Sequence, residues 1–141
     1  MVCLGNICRS PLAEGIMQHK AIALNLNYII DSAGTSSWHE GEKPDRRSIA
    51  IAKEKGIEIS HQRSRLFEKN DFEEFDIIFA MDKNNLSDIL SLARDESDRQ
   101  KVFLLLQYAG LPIQEVPDPY YGGANGFEYV YNLLNTACEN A

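Results

Sequence analysis

The sequence predicts an α/β fold, a three-layer domain over residues 1–141 in which helices flank a parallel sheet, and three observations predict it. Short apolar runs alternate along the chain with segments of helical periodicity. One of these runs, Asp76 to Met81, is continuously apolar after its first residue yet too short for a helix, as suits a strand covered on both faces. The chain has 141 residues, 44% of them hydrophobic and 25% charged, enough to bury one core without disulfide staples.

Taken in order, the first helix begins at Ser10, which suits an N-cap, and Pro11, which suits the first helical position. Leu12, Ala13, Ile16 and Met17 supply its apolar stripe, and it ends near Leu24. Tyr28 to Ser32 reads as a strand entering a loop that carries Trp38. A second helix runs from Pro44 or Asp45 to Lys55 and stops at Gly56, where a left-handed cap is common. After the strand at Asp76 to Met81, Leu86, Ile89, Leu90 and Ala93 mark another helix. Val102 to Leu106 repeats the buried-strand pattern, and residues 111–123 form a loop punctuated by Pro and Gly. Phe127, Val130, Tyr131, Leu134 and Cys138 trace a closing helix. Such an order implies right-handed crossovers and a ligand site beyond the carboxyl ends of the strands, an edge that Cys3 and Asp118 can both reach.

A net charge of −7 disfavours nucleic acid and anionic membrane surfaces, so any phosphate site must be built locally. No apolar run approaches the roughly 18 to 20 residues of a membrane helix, and no charged-then-apolar leader precedes Cys3, which predicts a cytoplasmic protein. Three cysteines, an odd number, predict reduced thiols rather than a disulfide framework. With no zinc-ligand spacing among the cysteines and histidines, no metal and no cofactor is expected.

The segment Cys3-Leu4-Gly5-Asn6-Ile7-Cys8-Arg9-Ser10-Pro11 sets a thiol and an arginine at the two ends of a short loop before a helix. A loop wrapped around phosphate turns its N–H groups inward, which needs dihedrals that Gly5 and Asn6 tolerate. The helix terminus and Arg9 favour the thiolate of Cys3, and the planar guanidinium can hold two phosphate oxygens at once. Ser10 can donate its hydroxyl to the sulfur and ease its departure.

This string resembles the phosphate loop of the low-molecular-weight protein tyrosine phosphatases. A second string, Val116-Pro117-Asp118-Pro119-Tyr120-Tyr121-Gly122-Gly123, resembles that family's general-acid loop at the expected distance. The likeness continues through Ser32-Ala33-Gly34-Thr35, Trp38-His39, Phe75-Asp76 and Met81-Asp82, nearly the whole chain. It implies a short four-stranded parallel sheet and a metal-free reaction on tyrosine-phosphorylated proteins by a monomer or weak dimer. In that reaction Cys3 is the nucleophile, Arg9 the phosphate ligand and Asp118 the general acid. Leu4, Gly5, Asn6, Ile7, Cys8 and Ser10 then surround the phosphate, with Trp38, Tyr120 and Tyr121 as aromatic walls for an aryl ester.

Asn6, Ser32, His61 and Asp82 resemble residues that hold the loop in shape. For Cys8 two readings stand: a space-filler beneath the loop, or a partner that traps oxidised Cys3. Arg46, Arg47, Arg63 and Arg65 read as solvated, some of them rimming the cleft, and His19 and His39 receive no role. Rival readings are an arsenate reductase, for which Cys138 alone offers no relay pair, a protein arginine phosphatase, whose loop carries threonine where this chain has Ile7, and a phosphate-binding module without chemistry. One departure stands out. Family members usually carry several apolar residues before the cysteine, whereas here Met1 and Val2 precede it, so the first strand is expected to be truncated: either the start lies upstream and Met1 is an internal strand residue, or the chain folds with a gap between the neighbouring strands.

Overall fold

The computed structural model describes residues 1–120 and 124–141. In chain order these form β1 (Val2–Cys3), α1 (Arg9–Ala23), β2 (Ala33–Gly34), α2 (Arg46–Glu54), α3 (Asp71–Glu74), β3 (Ile78–Ala80), α4 (Lys83–Ser91), α5 (Glu96–Arg99), β4 (Val102–Leu104), α6 (Leu105–Tyr108) and α7 (Ala124–Asn140). The four strands are parallel and lie in the order β2, β1, β3, β4. Val2 pairs with Ala33 on one side and Ala80 on the other, while Ile78, Phe79 and Ala80 face Val102, Phe103 and Leu104.

Because successive strand residues point to opposite faces, the sheet divides the core in two. Cys3, Phe79 and Met81 join the layer formed by α1, α2 and α7, where Leu12, Ile16, Leu134 and Val130 are at most 1% exposed. Val2, Ile78, Ala80, Val102 and Leu104 face the other way, onto Phe67, Phe72 and Ile89. Both faces are covered, which is why these strands read as continuous apolar runs.

The second helix matches its sequence signals closely. Asp45 caps it by accepting from the Arg47 N–H at 2.8 Å, and Gly56 takes the left-handed conformation with φ of 81° just beyond its end. The first helix starts one residue earlier than expected, and Ser10 does not cap it. Its hydroxyl is held instead beside Cys3 and Asn6, so the helix begins without a side-chain cap.

Two strands lie elsewhere than expected. Tyr28 to Ser32 is not a strand, since Tyr28 is 62% and Ile29 88% exposed, and β2 forms at Ala33–Gly34 where β1 supplies a partner. β4 ends at Leu104 because Leu105 and Leu106 turn into α6 and bury themselves in the α1–α7 layer. A cavity of about 440 Å³ lies at the amino end of the sheet, lined among others by Met1, Ile29, Ile30, Ile77 and Phe79.

Candidate active site

Cys3 ends β1 at the carboxyl edge of the sheet, and the next five residues, Leu4 to Cys8, curl around its sulfur before α1 begins. The Asn6 N–H donates to Cys3 Sγ at 3.3 Å, and Ser10 Oγ lies 3.0 Å from the same sulfur. Asn6 occupies the left-handed region with φ of 56°, which asparagine tolerates better than most residues. Three bonds hold it there. Its amide nitrogen donates to Ser10 Oγ at 2.8 Å and Ser32 Oγ at 2.9 Å, and its amide oxygen accepts from the Arg65 N–H at 3.0 Å. Ser32 in turn donates to the buried carboxylate of Glu14 at 2.7 Å. Behind the loop stands Gly34, where an added Cβ would come within 2.8 Å of Leu4 O.

Arg9 is buried, and Nη1 of its guanidinium is fixed by Asp82 at 2.6 Å and the Val116 carbonyl at 3.0 Å. Asp82 uses its other oxygen to cap α4 through the Asn85 N–H at 2.8 Å, which fixes that carboxylate in turn. Nη2 lies 3.6 Å from Asp118 Oδ2. Burial alone would lower the Arg9 pKa, but the charges of Cys3, Asp82 and Asp118 and the hydrogen bond to Asp82 together raise it. The outcome is an immobile cation aimed at the centre of the loop.

Cys3, Leu4, Gly5, Ile7, Cys8 and Arg9 line a small cleft together with Ser36, Trp38, His39, Asp118 and Tyr120. Trp38 stands at its mouth, 84% exposed, and Tyr120 is half-buried. Asn6 and Ser10 lie behind the loop rather than in the cleft wall, and Tyr121 falls outside the described residues. Burial pushes the Cys8 thiol up to about 12, with the charges of Asp45, Cys3 and Asp118 adding to it. Among the described residues no group of three or more His, Cys, Asp or Glu is placed to hold a metal ion.

Several neighbours carried no usable signal in the sequence. His39, left without a role, lies against Gly5 in the cleft and pairs with Glu42 at 2.8 Å. His61 is exposed, and among the described residues it makes no hydrogen bond to the loop. Ser64 and Arg65 make those bonds instead, Ser64 by donating to the Gly5 carbonyl at 2.9 Å. Arg65 is no solvated rim residue, since it also pairs with Asp31 and Asp71. Arg47 forks onto Asp45 and reaches the Tyr120 carbonyl at 2.9 Å.

The family profile described as low molecular weight phosphotyrosine protein phosphatase matches residues 1–141. A putative low molecular weight protein-tyrosine-phosphatase of Synechocystis is 47% identical, the alignment covering 99% of this chain and 90% of that one. The low molecular weight phosphotyrosine protein phosphatase of Schizosaccharomyces pombe is 42% identical over the same shares. Among solved structures, a protein tyrosine phosphatase from Entamoeba histolytica with Hepes in its active site superposes with a TM-score of 0.93 at 44% identity, covering 99% and 90% of the two chains. A Drosophila arginine phosphatase superposes with a TM-score of 0.92 at 36% identity, covering 99% and 91%.

Proposed function

The chain belongs to the low molecular weight phosphotyrosine protein phosphatases, and on that premise we propose that Cys3, Arg9 and Asp118 carry the hydrolysis of phosphotyrosine in proteins and of small aryl phosphates. The observation that carries this assignment is the convergence on one cleft of a sulfur, a pinned guanidinium and a carboxylate, the last two 3.6 Å apart.

The reaction runs in two displacements. Cys3 Sγ, as the thiolate, attacks phosphorus; the bond from phosphorus to the tyrosyl oxygen breaks, and that oxygen takes a proton from Asp118. Water then attacks the cysteinyl phosphate and yields a proton to the Asp118 carboxylate. The P–S bond breaks, releasing inorganic phosphate and restoring the thiolate. Arg9 holds the equatorial oxygens through both steps, because its Nη1 is fixed by Asp82 and Val116 while its other nitrogens make no hydrogen bond among the described residues. Ser10 Oγ, 3.0 Å from the sulfur, stabilises the departing thiolate. Trp38 at the mouth offers a flat apolar face to the phenol ring.

We read residues 1–141 as one phosphatase domain working in the cytoplasm. Supporting this are its three free cysteines and the lack, among the described residues, of any helix long and apolar enough to cross a membrane.

The test compares phosphotyrosine, phosphoarginine and phosphoserine peptides side by side without added metal. The expected result is turnover of phosphotyrosine, abolished in Cys3→Ser while vanadate binding is largely kept. Preference for phosphoarginine would move the chain to the other specificity found in this fold, and turnover by the serine variant would remove Cys3 from the mechanism.

A further inference from the structure

We propose that Arg47 and Asp45, at the amino end of α2, are positioning residues that clasp the Asp118 loop to the phosphate loop and so hold the acid over the leaving oxygen. The proposal rests on the reading of Asp118 as general acid. Residues 111–120 include no helix or strand of their own. The Val116 N–H ties this loop to the Met81 carbonyl at 2.8 Å, but Asp118 lies two residues further on.

The clasp is a continuous series of short bonds. The Asp45 N–H donates to the carbonyl of Ile7, inside the phosphate loop, at 2.7 Å. The Asp45 carboxylate faces the other way and receives Arg47 as a fork, from Nε at 3.0 Å and from Nη2 at 3.1 Å. Nη2 also donates to the Tyr120 carbonyl at 2.9 Å, and the guanidinium sits 5.6 Å from the Tyr120 ring centre and 4.5 Å from that of Phe127. Tyr120 completes the series, because its own N–H donates to Asp118 Oδ1 at 3.0 Å. One residue therefore carries the acid on its N–H and Arg47 on its carbonyl. From Asp118 Oδ2 the path returns to the phosphate site through Arg9.

A planar fork suits this task and an ammonium does not, since only the fork can satisfy the Asp45 carboxylate and the Tyr120 carbonyl in one fixed plane. Misplacing a reacting group by about 1 Å is enough to cost roughly 100-fold in rate. Positioning of this kind matters in proportion to how badly the leaving group needs its proton.

The experiment measures kcat and KM for wild type, Arg47→Met, Arg47→Lys, Asp45→Asn and Asp118→Asn on an alkyl or tyrosyl phosphate and on p-nitrophenyl phosphate, with vanadate inhibition and a melting curve for each. Methionine keeps apolar contact with Phe127, and lysine keeps the charge. Both Arg47 variants are expected to lose about 10- to 100-fold in kcat/KM, which reports the step that expels the leaving group, on the poor leaving group and less than about 3-fold on p-nitrophenyl phosphate, with vanadate inhibition within about 2-fold of wild type. Adding Asp45→Asn to Arg47→Met should then change the leaving-group dependence little. Equal losses in kcat/KM on both substrates, weaker vanadate binding in proportion to lost rate, or no loss at all would overturn the clasp. Where Asp118→Asn shows the leaving-group dependence and Arg47→Met does not, the positioning role fails alone. Where Asp118→Asn lacks it too, the acid assignment fails and takes the clasp with it.

Discussion

Replacing Asp82 separates the two things its carboxylate does. One oxygen is 2.6 Å from Arg9 Nη1 and the other caps α4 at 2.8 Å. Arg9 has a side chain only 3% exposed, so removing its partner leaves a cation with little water to turn to. Breaking a buried pair from one side costs about 3–5 kcal/mol, and loss of an N-cap about 1 kcal/mol more. Against a total stability of roughly 5–15 kcal/mol, Asp82→Ala is expected to be barely folded. Asp82→Asn is the informative variant, because its amide oxygen can still cap α4 while the charge facing Arg9 is gone. The loss of a hydrogen bond between charged groups is about 1.5–3 kcal/mol, and the Val116 carbonyl continues to hold Nη1. If that loss appears in phosphate affinity, the ceiling is roughly 10- to 150-fold at 1.4 kcal/mol per decade. Denaturant unfolding and vanadate inhibition measure the two effects separately. An Asp82→Asn protein with the wild-type midpoint and the wild-type inhibition constant would refute the view that this carboxylate orients Arg9.

Gly34→Ala should push on backbone atoms, Leu4 O at 2.8 Å and Gly5 C at 3.1 Å, and so displace the phosphate loop. We expect kcat/KM for p-nitrophenyl phosphate to fall by at least about tenfold with a small drop in melting temperature; unchanged kinetics would mean that the loop yields freely. Burial holds the thiols of Cys8 and Cys138 each at about 12, so iodoacetamide at neutral pH should leave both unlabelled in the folded protein. Mass mapping that finds them labelled as fast as in urea would contradict their burial. Burial also raises the Glu14 pKa above its ordinary value of 4.5, against the hydrogen bonds from Ser32 and Gln18. A group raised by folding stabilises below its unfolded pKa and loses that contribution as pH rises through the folded one. Stability should therefore decline as pH rises above about 4.5 as Glu14 ionises, and Glu14→Gln should flatten that slope; an unaltered slope would assign it to other groups.

Local signals gave good positions where the structure itself is local. Asp45 and Gly56 bracket α2 through bonds within a turn of each, and Pro11 and the apolar stripe behind it mark α1. Strands depend on partners, which is why Tyr28 to Ser32 misled: its residues have strand character, but the sheet pairs only Ala33 and Gly34 with β1. Leu105 and Leu106 continue an apolar run across a change of conformation, and periodicity cannot see that change in so few residues. In the site, the seven residues from Cys3 to Arg9 are contiguous and were legible as a string. The side chains that fix them come from far away, and nothing near Arg47, Ser64 or Arg65 in sequence distinguishes them from surface residues.

The bonds that shape the phosphate loop join Asn6 to Ser32 across 26 positions and to Arg65 across 59, and Arg9 to Asp82 across 73 and to Val116 across 107. Loops of that length close late, since their entropy must be overcome before the contacts reward it. Until those contacts exist, the left-handed turn at Asn6 has only its local bonds to Cys3 and Ser10. Helical signal should therefore return during refolding well before activity does, and activity should return in step with the last tertiary phase. A partly folded chain would hold Cys3 without the cage around it, exposed to oxidants and unable to turn over substrate.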